Sequence, residues 1–171
     1  MHTVNLLLHV LHITAGVLWV GGAVVVGFFV APSANATRPE SGRFMQHLTG
    51  PAKLPIYFMV ASWVSVLCGL AMFAPATGNL DGGVMRTPRG MAISIGALLA
   101  LAAFLEGAIV TGPTANKLGA LGKAIAASGK GPTPEQAQQA QALQAKLSRV
   151  ARRGAVMLLA TTALMAAARW I

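Results

Sequence analysis

Residues 4–32 read VNLLLHVLHITAGVLWVGGAVVVGFFVAP, a run that contains no Asp, Glu, Lys or Arg. The first of these residue types in the chain is Arg38. A hydrocarbon core of about 30 Å is crossed by about 20 apolar residues in a helix, and lipid cannot satisfy the backbone of an open strand. The run therefore predicts a membrane-spanning helix. It lacks a basic n-region and is too long for the apolar core of a signal peptide, so we expect it to remain in the mature protein.

Three further apolar segments, residues 54–75, 90–112 and 154–171, are also long enough to span, the last only just. The whole chain of 171 residues is 55% hydrophobic and 10% charged, against about 25% charged in an average soluble domain. The predicted fold is an all-α, integral-membrane four-helix bundle that forms one domain.

The basic residues are concentrated on one side of the predicted membrane. The chain has 13 Lys and Arg against 4 Asp and Glu, for a formal net charge of +9. The first and third loops hold ten of the 13, namely Arg38, Arg43, Lys53, Lys117, Lys123, Lys130, Lys146, Arg149, Arg152 and Arg153. The opposite side holds Arg86, Arg89 and Arg169. The positive-inside rule then places both termini in the periplasm, for a multi-pass protein of a bacterial inner membrane. The expected partner is the bilayer rather than a nucleic acid.

The third loop, residues 114–153, has the pattern of a helical hairpin. Apolar residues recur at helical spacing before and after a breaker at Ser128 to Pro132. Thr133, Pro134 and Gln136 supply an N-cap hydroxyl, a first-position proline and a capping-box acceptor. We therefore expect the third and fourth helices to extend into the cytoplasm as an antiparallel hairpin. Residues 39–48 of the first loop predict a short amphipathic helix.

Two histidines of the first span are the strongest candidates for chemistry. His12 heads a helical stripe with Gly16 and Trp19, where small residues let a neighbouring helix or a flat ligand approach. Ionisable groups inside a membrane are functional by default, so His12 and His9 are predicted ligands to haem iron or copper. The alternative is a neutral His12 hydrogen-bonded to a Ser, a Thr or a backbone carbonyl of another helix.

A second ligand would have to come from methionine, because the other spans contain no histidine. Met72, Met91 and Met165 are all predicted at the same outer level as His9 and His12. A thioether paired with imidazole suits haem iron or Cu(I). Methionine is also a common filler of apolar cores, so a purely structural role is the alternative for each. A bis-histidine site across two helices is unavailable within one chain, unless His9 and His12 serve different cofactors or the chain dimerises.

Glu106 is the only acidic residue in the four predicted spans. An unpaired carboxylate there is expensive, so we expect it to be protonated or to meet a cation. The candidate cations are Arg152, Arg153, Lys53 and His47. A structural ion pair between helices and a role in proton or cofactor handling are both open.

Trp19 and Trp63 are predicted at mid-depth rather than in the interfacial belt where Trp usually anchors. Packing against each other or against a neighbouring helix is one interpretation. Contact with the face of a macrocycle is the other.

The first span resembles the opening helix of bacterial four-helix membrane proteins related to copper-resistance protein D and to the HemJ type of protoporphyrinogen oxidase. The resemblance rests on residues 8–22, LHVLHITAGVLWVGG, with His12 and Trp19 at the matching positions, and on the basic loop that precedes Leu54. In the HemJ branch it implies a haem b held by the first-helix histidine, with a lysine or another histidine also implicated.

Three functions follow from these patterns. The first is a haem b protein that acts in electron transfer or as an accessory redox subunit, with His12 or His9 as axial ligand. The second is a copper-handling membrane protein that uses the same His and Met residues. The third is a cofactor-free structural subunit. The expected protein partner is a second copy of the chain in a homodimer, or another subunit of a larger membrane redox complex.

Overall fold

The computed structural model describes residues 2–37 and 41–171, apart from the side chain of His2. All regular secondary structure in these two ranges is helical. Four helices are long and apolar enough to cross a membrane, namely Thr3–Ala36, Leu54–Ala76, Pro88–Ala127 and Pro134–Ala167. The chain is thus a multi-pass helical membrane protein, consistent with a membrane four-helix bundle.

The long helices contain two short π-helical turns, in which the helix widens to i→i+5 hydrogen bonds. In chain order the elements are α1 His2–Val25, the first π turn Val26–Val30, α2 Ala31–Ala36, α3 Ser41–Thr49, α4 Leu54–Ala76, α5 Gly82–Met85, α6 Pro88–Glu106, the second π turn Gly107–Thr111, α7 Gly112–Ala127 and α8 Pro134–Ala167.

Two prolines account for the position of the π turns. Pro32 and Pro113 each lie in the first two positions of the α-helix that follows a π turn. A proline inside a helix lacks the N–H for the usual bond, and its ring collides with the carbonyl four residues earlier. A wider turn before the proline relieves this conflict. The first and third helices therefore run through these prolines to Ala36 and Ala127, beyond the ends that we predicted for the spans.

The four long helices pack as two antiparallel pairs. α1 packs most extensively against α4, and α6 against α8, while α8 also contacts α1. A central core joins the pairs, and it consists of Trp19, Ala61, Val66, Ala103 and Leu158. Two of its members, Ala61 and Ala103, are small, so the helix backbones can lie close together beside the large indole.

The predicted capping box begins α8. Thr133 Oγ1 accepts a hydrogen bond from the N–H of Gln136, whose Oε1 accepts one from the N–H of Thr133. From Pro134 to Ala167 the helix has 34 residues, about 51 Å at 1.5 Å per residue. Its first half packs against α7. The position of the bilayer along this hairpin stays a prediction.

The amphipathic helix of the first loop is α3. Its predicted start at Pro39 lies outside the described residues, and the observed helix is Ser41–Thr49. Phe44 is exposed, whereas Met45 and Leu48 are half-buried. The apolar face of α3 is thus partly covered and partly free to meet the membrane interface.

Candidate ligand site on the first helix pair

His12 lies between α1 and α4. Its Nδ1 donates a hydrogen bond to the backbone carbonyl of Ser65, with 2.8 Å between the two heavy atoms. A carbonyl oxygen can only accept, so Nδ1 carries a proton, and no hydrogen bond to Nε2 is observed within residues 2–37 and 41–171. The hydrogen-bonding alternative from the sequence is therefore observed. It is also the arrangement in which a histidine usually binds a metal, with its second nitrogen tied to a carbonyl.

Glycine at position 69 makes room for the imidazole of His12. A Cβ at this position would lie 2.9 Å from Cε1 and 3.1 Å from Nδ1 of the ring. Real Cβ atoms essentially never approach other atoms as closely as 2.9 Å, and 3.1 Å is a tight contact. On α1, a Cβ at Gly16 would lie 3.5 Å from Oγ of Ser65, which is an ordinary van der Waals contact. Gly69 is therefore the glycine that accommodates the ring.

His9 has a different environment from His12. It is exposed, and its Nδ1 lies 2.7 Å from the carbonyl oxygen of Asn5, one turn earlier on the same helix. The two histidines are therefore neighbours in sequence, but only His12 is held by a second helix.

The three candidate methionines lie on the other helices. Met165 packs on α6, where a Cβ at Gly96 would lie 3.2 Å from its Cγ. Met91 is 48% exposed near the start of α6, and Met72 is half-buried on α4. Among residues 2–37 and 41–171, no group of three or more His, Cys, Asp or Glu side chains could hold a metal ion. Of the candidate ligands, His12 is the one whose side chain is hydrogen-bonded to another helix.

The two mid-depth tryptophans pack against different partners. Trp19 is 8% exposed and lies in the central core. Trp63 makes an edge-to-face contact with Phe104, with ring centroids 4.9 Å apart, and is 49% exposed. Each ring therefore packs against a neighbouring helix, which matches the packing interpretation.

Glu106 forms its ion pair with Arg153 of α8. Arg152, the other candidate on that helix, instead places its guanidinium 5.6 Å from the centroid of the Phe28 ring. The carboxylate is 9% exposed, whereas the guanidinium is 65% exposed. The pair therefore extends from the inside of the bundle to its surface.

Sequence reasoning missed Ser65 and Gly69, which hold and accommodate His12. A usable signal was present, because Ser62, Ser65 and Gly69 follow one another at helical spacing within an apolar run. Polar and small residues in that pattern indicate a face that packs closely against another helix. The pattern does not show which helix packs against this face, so His12 of α1 could not be identified from the sequence as the residue that Ser65 and Gly69 contact.

No protein-family model, curated protein or solved structure matches this chain. The resemblance of residues 8–22 to the copper-resistance D and HemJ group stays an expectation from the sequence.

Proposed function

We propose that this chain is a small integral-membrane haem b protein that acts in electron transfer or as an accessory redox subunit. The observation that supports the proposal best is the 2.8 Å hydrogen bond from Nδ1 of His12 to the carbonyl of Ser65. It leaves one imidazole nitrogen available as an axial ligand and fixes the orientation of the ring.

The donor chemistry of the residues present fits such a group. A carbonyl that accepts from the second nitrogen raises the basicity of a ligating imidazole and restricts its rotation. Gly69 leaves no side chain to displace the ring. A haem bound there would supply one-electron chemistry, while Ser65 and Gly69 would keep the imidazole in place.

The proposal assigns the remaining candidates to supporting positions. Met165, Met72 and Met91 would be the candidates for a second ligand to the group, and His9 would be the alternative to His12. Gly16 and Trp19 would lie beside the group on the same helix. A second copy of the chain, or another subunit of a membrane redox complex, is the other source of a second ligand.

The test is a visible-absorption titration of the detergent-purified protein with haem b. We expect a Soret band in the wild type and in His47→Ala, and its loss or strong weakening in His12→Ala. His47 is the matched control because it lies on α3, outside the helix pair that holds His12. The elution volume of each variant in size-exclusion chromatography checks that it has folded.

The other outcomes separate the remaining functions. Loss of the band in His9→Ala but not in His12→Ala would move the ligand to His9. Bound copper without a Soret band would favour the copper-handling function. If neither the wild type nor the His9→Ala, His12→Ala double variant binds haem or copper, the result would favour a cofactor-free structural subunit and overturn the proposal.

We also propose that both termini face the periplasm of a bacterial inner membrane. The support is the ten-to-three distribution of the 13 Lys and Arg residues. In that orientation α3, α7 and the first half of α8 lie on the cytoplasmic side, and His12 lies in the periplasmic half of the bundle.

A further inference from the structure

The Glu106 carboxylate has two oxygens in different environments. Oε1 accepts the hydrogen bond from Nη2 of Arg153. Oε2 is buried and has no hydrogen-bond partner among the residues that the structure describes. A buried, unpaired oxygen of an ionised group is costly in a medium of low dielectric constant.

We propose that Oε2 of Glu106 is a reversible proton-binding site, with Arg153 as the counter-ion of the ionised form. Protonation removes the charge of the carboxylate and so lowers the free-energy cost of burying it, because a buried neutral hydroxyl is less costly than a buried charge. Arg153 does not then become a buried, unpaired charge, because its guanidinium is already 65% exposed. The exposed cation and the buried carboxylate therefore allow the pair to open without opening the bundle.

The helix packed against Glu106 leaves space beside Oε2. Gly154 of α8 is its neighbour, and even a Cβ at that position would lie 4.0 Å from the oxygen. The other charged groups of this part of α8 are directed elsewhere. Arg152 lies over Phe28 of the first π turn, and Nε of Arg149 bonds the carbonyl of Ala145. Among the described residues, Arg153 is thus the one charged group that contacts the carboxylate.

Access to the site comes from one end of the bundle. Towards the N-terminus of α6, the next polar contact of the α6–α8 interface is the bond from Thr161 Oγ1 to the carbonyl of Gly96. Gly96 is ten residues before Glu106, or about 15 Å along the helix. Ala103 and Leu158 of the central core lie between them. The proton therefore exchanges with the aqueous phase on the side of α7 and α3.

The proposal is independent of the haem proposal, because Glu106 and Arg153 belong to the other helix pair. Its test is modification of the full-length protein in lipid nanodiscs by dicyclohexylcarbodiimide, followed by mass spectrometry of peptides over a pH series. A carbodiimide nitrogen takes the carboxyl proton while the carboxyl oxygen adds to the central carbon, so the protonated acid is the reactive form. We expect labelling of Glu106 to increase as the pH falls and to be absent from Glu106→Gln.

Two arginine variants test whether Arg153 is the counter-ion of the ionised form. Arg153→Gln removes the counter-charge, so labelling of Glu106 should increase at a given pH. Arg152→Gln is the matched control, one residue away on the same helix, and should label as the wild type does. Equal labelling in these two variants would overturn the role of Arg153.

Infrared spectroscopy supplies a measurement that does not depend on access of the reagent. The wild type should show a pH-dependent carboxylic acid C=O band that is missing from Glu106→Gln. If Glu106 is unlabelled at every pH and this band is also absent, the carboxylate is permanently ionised and the proposal is wrong.

Discussion

Replacement of Gly69 by alanine should disturb the His12 site without touching His12 itself. The added methyl group would lie 2.9 Å from Cε1 and 3.1 Å from Nδ1 of the imidazole. The ring cannot keep its position, so its hydrogen bond to the carbonyl of Ser65 should lengthen or break.

The expected loss of stability combines three effects. Overpacking costs about 1–3 kcal/mol, and loss of the hydrogen bond costs about 0.5–1.5 kcal/mol. Alanine favours the helix over glycine by about 1 kcal/mol. The net destabilisation for Gly69→Ala is then about 2 kcal/mol, which lowers the melting temperature of a chain of this size by about 4–8 °C.

The assay is thermal unfolding in detergent, followed by circular dichroism. Gly21→Ala is the matched control, because nothing lies within 4 Å of a Cβ at that position of α1. We expect it to leave the melting temperature unchanged or to raise it slightly. Residues in direct contact give non-additive changes, so Gly69→Ala should cost nothing in a His12→Ala background, where the ring is gone.

The double variant is the decisive comparison. If Gly69→Ala lowers stability equally with and without the imidazole, the cost comes from the packing of α1 on α4 rather than from His12. An unchanged melting temperature in the wild-type background would show that the ring moves freely, and would refute the argument that Gly69 fixes it.

Three further predictions concern the topology and the hairpin. Membrane-impermeant thiol reagents should label cysteine at Leu80 but not at Ile125 in intact cells, in a background without the native cysteine; labelling at Ile125 alone would reverse the orientation. Spin labels at Gln136 and Ala166 should lie about 45 Å apart by helix rise, and a distance below about 30 Å would show a broken helix. Thr133→Ala removes the capping hydroxyl and should destabilise the start of α8 by about 1 kcal/mol, seen as faster amide exchange in its first turn; unchanged exchange would mean that the cap contributes nothing.

The existence of four long helices followed directly from hydropathy, because each apolar run has about the number of residues that a helix needs to cross the hydrocarbon core. The start of α8 was predictable for a local reason. Thr133 and Gln136 are three residues apart, and both hydrogen bonds of the capping box form between them. Features that depend only on residues close together in the chain, such as this capping box, can be predicted from the sequence alone.

The course of the helices at Pro32 and Pro113 was predictable only in part. The hairpin pattern predicted that the third helix extends beyond Pro113, but it did not predict the π turn that precedes each proline. A proline weakens a helix locally, but the long apolar run and contacts with α8 favour continuation. Which of these effects prevails depends on how the helices pack in the folded molecule.

The details of the candidate sites depend on pairing between helices, which periodicity does not encode. The stripe through His12 predicted a closely packed face but not the carbonyl of Ser65, 53 residues away. Four cations were possible partners for Glu106. Only the rotation of α8 about its axis decides that Arg153 points to it while Arg152 points to Phe28.

The packing of the helices in sequential pairs has a consequence for biosynthesis. At about 5–20 residues per second, synthesis of the 95 residues after Ala76 takes about 5–20 s. During that interval α1 and α4 are complete, and every observed contact of His12 lies within them. The ion pair of Glu106 is formed entirely by the helices made later. The first half of the nascent chain therefore holds all observed contacts of His12, and the second half holds both partners of the Glu106 ion pair. The contacts of His12 can form in the bilayer before the residues that surround Glu106 leave the ribosome.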